Sequence, residues 1–188
     1  MIRPEKTSIP DNVVLVLKDA ATGRVKQIVS TKLDGSHNIV TTAGNRYYAQ
    51  LGASSASSFT FNQITAAASI RAASAGATFG DFRDAANVTT IPTGGTQAFD
   101  ATYPLHNDQD ANNTGAGSNV TTWSRTYTTT QANTNVKAIA IHQTGAAATP
   151  GAQVSTQLLL NAATLAVSVA KTSSDTLQIF VNHTFTGV

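Results

Sequence analysis

Apolar and polar positions alternate with a period of two through most of this chain, and a helical period occurs in one short stretch. Asn12 to Lys18 (NVVLVLK) is a β-branched apolar run and predicts a strand. Asp19-Ala20-Ala21-Thr22-Gly23 is a turn with glycine placed for positive φ, and Arg24 to Ser30 (RVKQIVS) returns as the second arm of a hairpin. Lys32 to Ser36 reads as a turn and His37 to Val40 as a short strand. Thr41 or Thr42 then caps a helix over residues 43–51, with Tyr47, Tyr48 and Leu51 on one face and Gly52 as its stop.

Ala53 to Ser58 is a small-residue linker, and Phe59 to Ile64 (FTFNQI) alternates as a strand. Thr65 to Ala77 is Ala-rich and reads as helix or as a strand edge. Gly76, Gly80, Pro92, Gly94 and Gly95 break the next part of the chain into loops, anchored on the core by Phe79, Phe82 and Phe99. The organising stretch comes next. Tyr103 to Ser118 is a polar Gly/Asn/Asp loop, and Asn119 to Thr128 then alternates sharply around the chain's one tryptophan, Trp123, as a central strand does. Val136 to Gln143 is a strand, Gly145 to Gly151 a loop, and Val154 to Leu160 either strand or helix. Leu165 to Lys171 and Leu177 to Phe185 are strands joined by a turn at Ser173-Ser174-Asp175. Seven to nine strands, one short helix and no βα repeat predict a mainly β chain. The expected fold is a single antiparallel β-sandwich domain over 11–188, jelly-roll-like, with one short helix near residues 43–51. Residues 1–10, with Pro4 and Pro10, read as an extended N-terminal arm that lies on a partner, which makes Arg3, Pro4, Lys6 and Pro10 candidate contact residues.

Charge changes this picture. Only 12% of residues are charged, about half the usual share. Thr, Ser, Asn and Ala take the places of Lys and Glu, and neutral hydroxyls and amides are desolvated more cheaply than charges. Such a surface suits contact with other proteins. A net charge of +2 is too small for a nucleic-acid footprint, and no apolar run reaches the ~20 residues of a membrane span. There is no cysteine, so disulfides and thiolate metal sites are excluded, in keeping with a reducing cytoplasm. The opening residues carry no signal-peptide pattern.

Candidate chemistry is sparse. His37, His106, His142 and His183 have no neighbours that suggest a triad, and there is no Gly-x-Ser-x-Gly elbow. Asp81 with Asp84 and Asp108 with Asp110 are the close carboxylate pairs, and both lie in loops where Asp ordinarily makes turn bonds. Asp108, Asp110 and Asn112 have the alternate spacing that opens a calcium loop, but its Gly and terminal carboxylate positions hold Asn113 and Asn119. They are the weak metal candidates. Trp123 and Tyr127 read as core, with a sugar-stacking platform as the alternative. The expectation is a non-enzymatic chain with no cofactor.

Several of these stretches carry a resemblance. The run YPLHNDQDANNTGAG followed by VTTWSRTYTTTQAN resembles small virion structural proteins of tailed bacteriophages. So do HNIVTTAGNRYYAQL and the ending KTSSDTLQIFVNHTFTGV; residues 1–10 have no counterpart and Thr65 to Ala77 is atypical. The resemblance implies a structural protein of the virion. The first reading is a capsid decoration or cement protein: a homotrimer or homodimer on the capsid surface, assembled in the host cytoplasm, that binds the major capsid protein. It implies neither nucleic-acid nor membrane binding. A tail or neck component, such as a fibre base or adaptor, is the runner-up, and a glycan-binding host-recognition module the third. If the arm lies across a capsid partner, deleting residues 1–10 weakens capsid binding in a sedimentation assay and leaves the melting temperature of the free chain unchanged; unaltered binding contradicts that role.

Overall fold

The computed structural model describes residues 11–34, 37–53, 60–68, 91–106, 120–143 and 158–184. Two antiparallel five-stranded sheets face each other across one core. The first, sheet A, contains β1 (Asp11–Asp19), β2 (Val25–Ser30), β6 (Leu105–His106), β7 (Val120–Tyr127) and β10 (Asp175–Thr184), in the order β2-β1-β10-β7-β6. The second, sheet B, contains β3 (His37–Val40), β4 (Phe61–Ala67), β5 (Thr96–Ala98), β8 (Asn135–Gln143) and β9 (Leu159–Ala170), in the order β3-β9-β8-β4-β5. The expected β-sandwich is therefore present. Its pairing is nested: β1 lies against β10, β3 against β9, β4 against β8 and β6 against β7. A jelly roll alternates such pairs between its sheets. Here the β3–β9 and β4–β8 pairs share sheet B.

Alternation puts Val13, Leu15 and Leu17 of β1, Trp123 and Tyr127 of β7, and Leu177, Ile179 and Val181 of β10 on the inner face of sheet A. Ile64, Ile139, Ile141, Leu160, Leu165 and Val169 meet them from sheet B. Sheet B is buried on its other face too, where Ala67, Ala138, Ala140, Leu159 and Ala162 form a second cluster. That explains why β8 is buried without a break from Ala138 to His142.

Tyr127 ties the two sheets together. It is wholly buried, and its hydroxyl proton is shared between the carbonyl oxygens of Ile64 and Gly95, each 3.1 Å away. Burial pushes its phenol far above the ordinary value, so the donor is always protonated.

The expected helix is α2 (Thr42–Gly52), capped by Thr41, whose hydroxyl accepts from the Gly44 amide at 3.1 Å. Gly44 is required by a close approach: a Cβ there would collide with the Leu160 carbonyl oxygen of β9. Tyr47 and Tyr48 turn toward the core, but Leu51 is 49% exposed, contrary to its expected place on their face. The close approach is at the N-terminal turn, and Leu51 lies in the last one. The glycine stop also fails, since the helix includes Gly52 and ends at Ala53 with φ −84°.

Other expectations shift. Residues 31–34 form a one-turn helix, α1 (Thr31–Asp34), where a turn was expected; the Thr31 hydroxyl accepts from the Val13 amide at 2.9 Å. Strand β4 takes in residues 65–67 of the ambiguous Ala-rich stretch. β5 and β6 occupy short pieces of stretches read as loop. Residues 159–160 and 165–170, read as parts of two segments, belong to one long strand, β9, because a large bulge interrupts its alternation without ending its pairing with β8; residues 154–157 lie outside the described residues. The same irregularity turns Val136 inward beside Ile139 and Ile141, away from Ala138 and Ala140. Asn161 mends the second irregularity between these strands: its side-chain oxygen accepts from the Ile141 amide at 3.1 Å. The N-terminal arm, Phe79, Phe82, and most of loop 103–118 lie outside the described residues.

Tyr127→Phe keeps the ring and removes the shared proton. It is expected to lower stability by about 1 kcal/mol through the lost hydroxyl bond, since the Gly95 carbonyl still accepts from the Ala66 amide at 2.9 Å, read as the shift in urea unfolding midpoint at unchanged slope. Gly44→Ala is expected to cost at least as much, because the neighbour it meets is backbone.

Candidate interaction surface

The two sheets differ on their outer faces. Sheet B hides small side chains, whereas sheet A presents a half-buried to exposed outer face along β1, β2 and β10 that is covered at β7, where Thr122 and Ser124 are buried. Alternation from the buried residues of β1 and β10 sends Asn12, Val14, Val16 and Lys18 outward on β1, and Thr176, Gln178, Phe180 and Asn182 outward on β10. The strand register then arranges these into rows. Val14 sits between Ser30 and Phe180, and Val16 between Ile28 and Gln178. Ile28 is 62% exposed, and Val25, opposite Lys18 beyond a register shift, is 45% exposed. These five apolar side chains form a contiguous strip, and large exposed apolar groups placed together mark contact surfaces. Leu33 of α1, at 87% the most exposed large hydrophobic among the described residues, lies three residues past the edge strand β2.

Each end of the strip is polar in a different way. At one end Ser30 donates to the Asn12 side-chain oxygen at 2.8 Å, and Thr122 donates to that of Asn182 at 2.8 Å. This neutral row spans four strands. At the other end Lys18 projects outward opposite Val25, while on the inner parity of the same sheet the Lys26 ammonium is 2.6 Å from the Asp175 carboxylate. Asp175 is itself buried and accepts from the Thr172 amide (3.0 Å) and hydroxyl (2.6 Å). The Lys26 and Thr172 bonds hold its carboxyl down at about 2. Lys171 nearby donates to Asn133 at 2.7 Å, and burial lowers its ammonium below the ordinary lysine value, with Asp175 opposing that shift. Between the two ends no outward side chain of β1, β2 or β10 from Asn12 to Val16, Ile28 to Ser30 or Gln178 to Asn182 is ionisable. Such a face loses little when it is taken from water.

Sequence-expected site residues fall elsewhere. Arg3, Pro4, Lys6 and Pro10, and the metal candidates Asp108, Asp110 and Asn112, lie outside the described residues. Among the described residues no group of three or more His, Asp or Glu is placed to hold a metal ion, and no helix is long and apolar enough to cross a membrane. Trp123 is 1% exposed and lies against Phe99 with ring centres 5.0 Å apart; Tyr127 is fully buried. Both are core, so the sugar-stacking platform is lost. Arg125, on the same face of β7, lies 3.6 Å from Asp100 and 5.8 Å over the Tyr127 ring.

Folding also makes contacts that adjacency in sequence did not suggest. His142, buried on the outer side of sheet B, directs Nδ1–H to the Gln143 carbonyl at 2.7 Å, which leaves Nε2 to accept from the Thr65 hydroxyl at 2.8 Å. Thr65 in turn meets Thr96 at 2.8 Å. This chain of neutral bonds crosses β8, β4 and β5 and satisfies a buried polar run.

Compared with family models, with curated proteins and with solved structures, the chain gives no match.

The Asp175 bonds fix a pH dependence. The folded carboxyl titrates below its unfolded counterpart, so its contribution is full above the unfolded value near 3.8 and is lost as pH falls toward about 2. With Lys26 41% exposed, solvent screening keeps this on the order of 1 kcal/mol. Asp175→Asn is expected to flatten the stability-versus-pH curve between those two values, measured by chemical unfolding; an unaltered slope there contradicts the assignment.

Proposed function

We propose that this chain is a non-enzymatic structural protein of a tailed-phage virion, a capsid decoration or cement protein that binds the major capsid protein lattice through the outer face of sheet A. One observation carries the reading: the apolar strip of Val14, Val16, Ile28 and Phe180 lies on a face with no ionisable side chain on β1, β2 or β10 until Lys18, opposite Val25, at its end. The virion context comes from the resemblance of the stretches 37–51, 103–133 and 171–188 to tailed-phage structural proteins. Cement acts by mass action. A protein that binds the assembled lattice and not its free subunits stabilises the lattice by the free energy of binding. Burying Ile28 and Val25 supplies about 25 cal/mol per Å² of apolar surface removed from water.

The test uses capsids stripped of this chain. Ile28→Asp and Val16→Asp place a carboxylate on the strip, where burial without a partner is costly. Each variant is expected to keep its far-ultraviolet spectrum and to lose at least tenfold in affinity for stripped capsids. Wild-type chain that does not bind such capsids overturns the cement reading. Equal binding by wild type and both variants overturns the assignment of the face.

A further inference from the structure

Strand β2 ends sheet A, and among the described residues no strand flanks its other side. The direction of its main-chain groups follows from β1. The Val13 amide donates to the Thr31 hydroxyl at 2.9 Å and the Asp19 amide to the Arg24 carbonyl at 2.9 Å, so the odd-numbered residues of β1 aim N–H toward β2. Leu15 and Leu17 therefore bond their register partners Val29 and Gln27. Ile28 lies between those partners, and its N–H and C=O point away from β1, into the open edge. The Gln27 side chain donates to the Ser168 carbonyl at 3.3 Å and holds this part of β2 against sheet B. Edge strands are ordinarily guarded by proline or by a projecting lysine. β2 has no proline, and its one charged residue, Lys26, is drawn inward to Asp175 at 2.6 Å.

We infer that β2 pairs antiparallel with β2 of a second copy about a two-fold axis at Ile28, which joins two copies of sheet A edge to edge. An open edge offers main-chain donors and acceptors that another strand meets in full. β2 is built to be that strand. With Ile28 opposite Ile28 of the second copy, each N–H meets the other's carbonyl, the doubly bonded pair of an antiparallel ladder. Lys26 then falls opposite Ser30 and Gln27 opposite Val29, so no like charges face each other within the strand. Arg24 and Lys32, which this register would oppose, lie outside β2, in the turn before it and in α1 after it, and so limit the pairing to the strand itself. On the outer face the row Gln178, Val16, Ile28 continues into Ile28, Val16 and Gln178 of the second copy. The 62% exposed Ile28 thus meets an apolar neighbour by symmetry alone. The pairing uses the edge of sheet A and leaves its outer face open, and it stands whether or not that face binds a capsid protein.

Sedimentation velocity of the full chain between about 10 μM and about 1 mM tests this. The wild type is expected to pass from monomer to dimer as concentration rises. Ile28→Pro removes the outward N–H and keeps the bonds to β1, since proline is tolerated where the N–H faces away from the sheet. It is expected to weaken self-association about tenfold or more with an unchanged far-ultraviolet spectrum. A wild type that stays monomeric throughout overturns the pairing, even if the edge takes a strand from another protein. So does a trimer, because a two-fold contact closes at two copies, or a dimer that Ile28→Pro leaves intact. Should that variant not fold, single cysteines in this cysteine-free chain decide. Under a mild thiol oxidant Ile28→Cys is expected to give a disulfide-linked dimer, since the Cα atoms of a bonded pair lie about 5.5 Å apart, and Val25→Cys is not. Cross-linking at neither position, at both equally, or at Val25 alone overturns the inference.

Discussion

Tyr127 reaches from β7 across the core and shares its hydroxyl proton with the carbonyls of Ile64 and Gly95. Those oxygens belong to β4 and to the turn before β5, so one side chain fixes the separation of the sheets and closes the end of sheet B. A phenylalanine would fill nearly the same volume and lose the direct link between the sheets, although the Gly95 carbonyl would keep its bond from the Ala66 amide. The rest of the molecule is arranged so that this contact stays dry. Trp123 and Phe99 lie on one side, and Arg125 covers the ring on the other with its charge balanced by Asp100.

With the core closed, the faces of the two sheets diverge. Sheet B buries both sides over β4, β8 and the first half of β9, with mostly branched side chains inward and four alanines with Leu159 outward. Sheet A buries one side; on the other, Thr122 and Ser124 of β7 are covered, while on β1, β2 and β10 Val, Ile and Phe stand half-buried to exposed among Asn and Gln. A soluble sheet face ordinarily carries charge. Here the outward charge of β1 and β10 stands at one end, at Lys18. The asymmetry supports a proposed role in which sheet B stabilises the domain and sheet A meets the partner.

Much of this was legible from residue order. The β1–β2 hairpin, the capped helix after Thr41, the Trp123 strand and strand β10 came from local pattern, whereas the turn at 173–175 crosses from β9 in sheet B to β10 in sheet A and closes no hairpin. What escaped depended on distant pairing. β5 and β6 are too short to show a period and exist through their partners β4 and β7. The bulges in β9 and β8 broke alternation, so one strand read as two and Val136 was placed on the wrong face. The interaction face left a partial signal. Asn12 to Lys18 is apolar at both parities, which marks a strand with two hydrophobic faces but does not say which is inside. In β10 the outward Phe180 breaks an otherwise clean polar alternation. Only the register, which sets Val14 beside Phe180 and Val16 beside Ile28, joins these into one strip.

The most direct test of the virion role is the copy number of this chain relative to the major capsid protein in purified particles, by quantitative mass spectrometry. A ratio near one, or a simple fraction of it, is expected for a protein that covers the lattice. A ratio about a hundredfold lower would contradict cement and move the chain to the tail or neck, and absence from the particles would contradict the virion assignment itself.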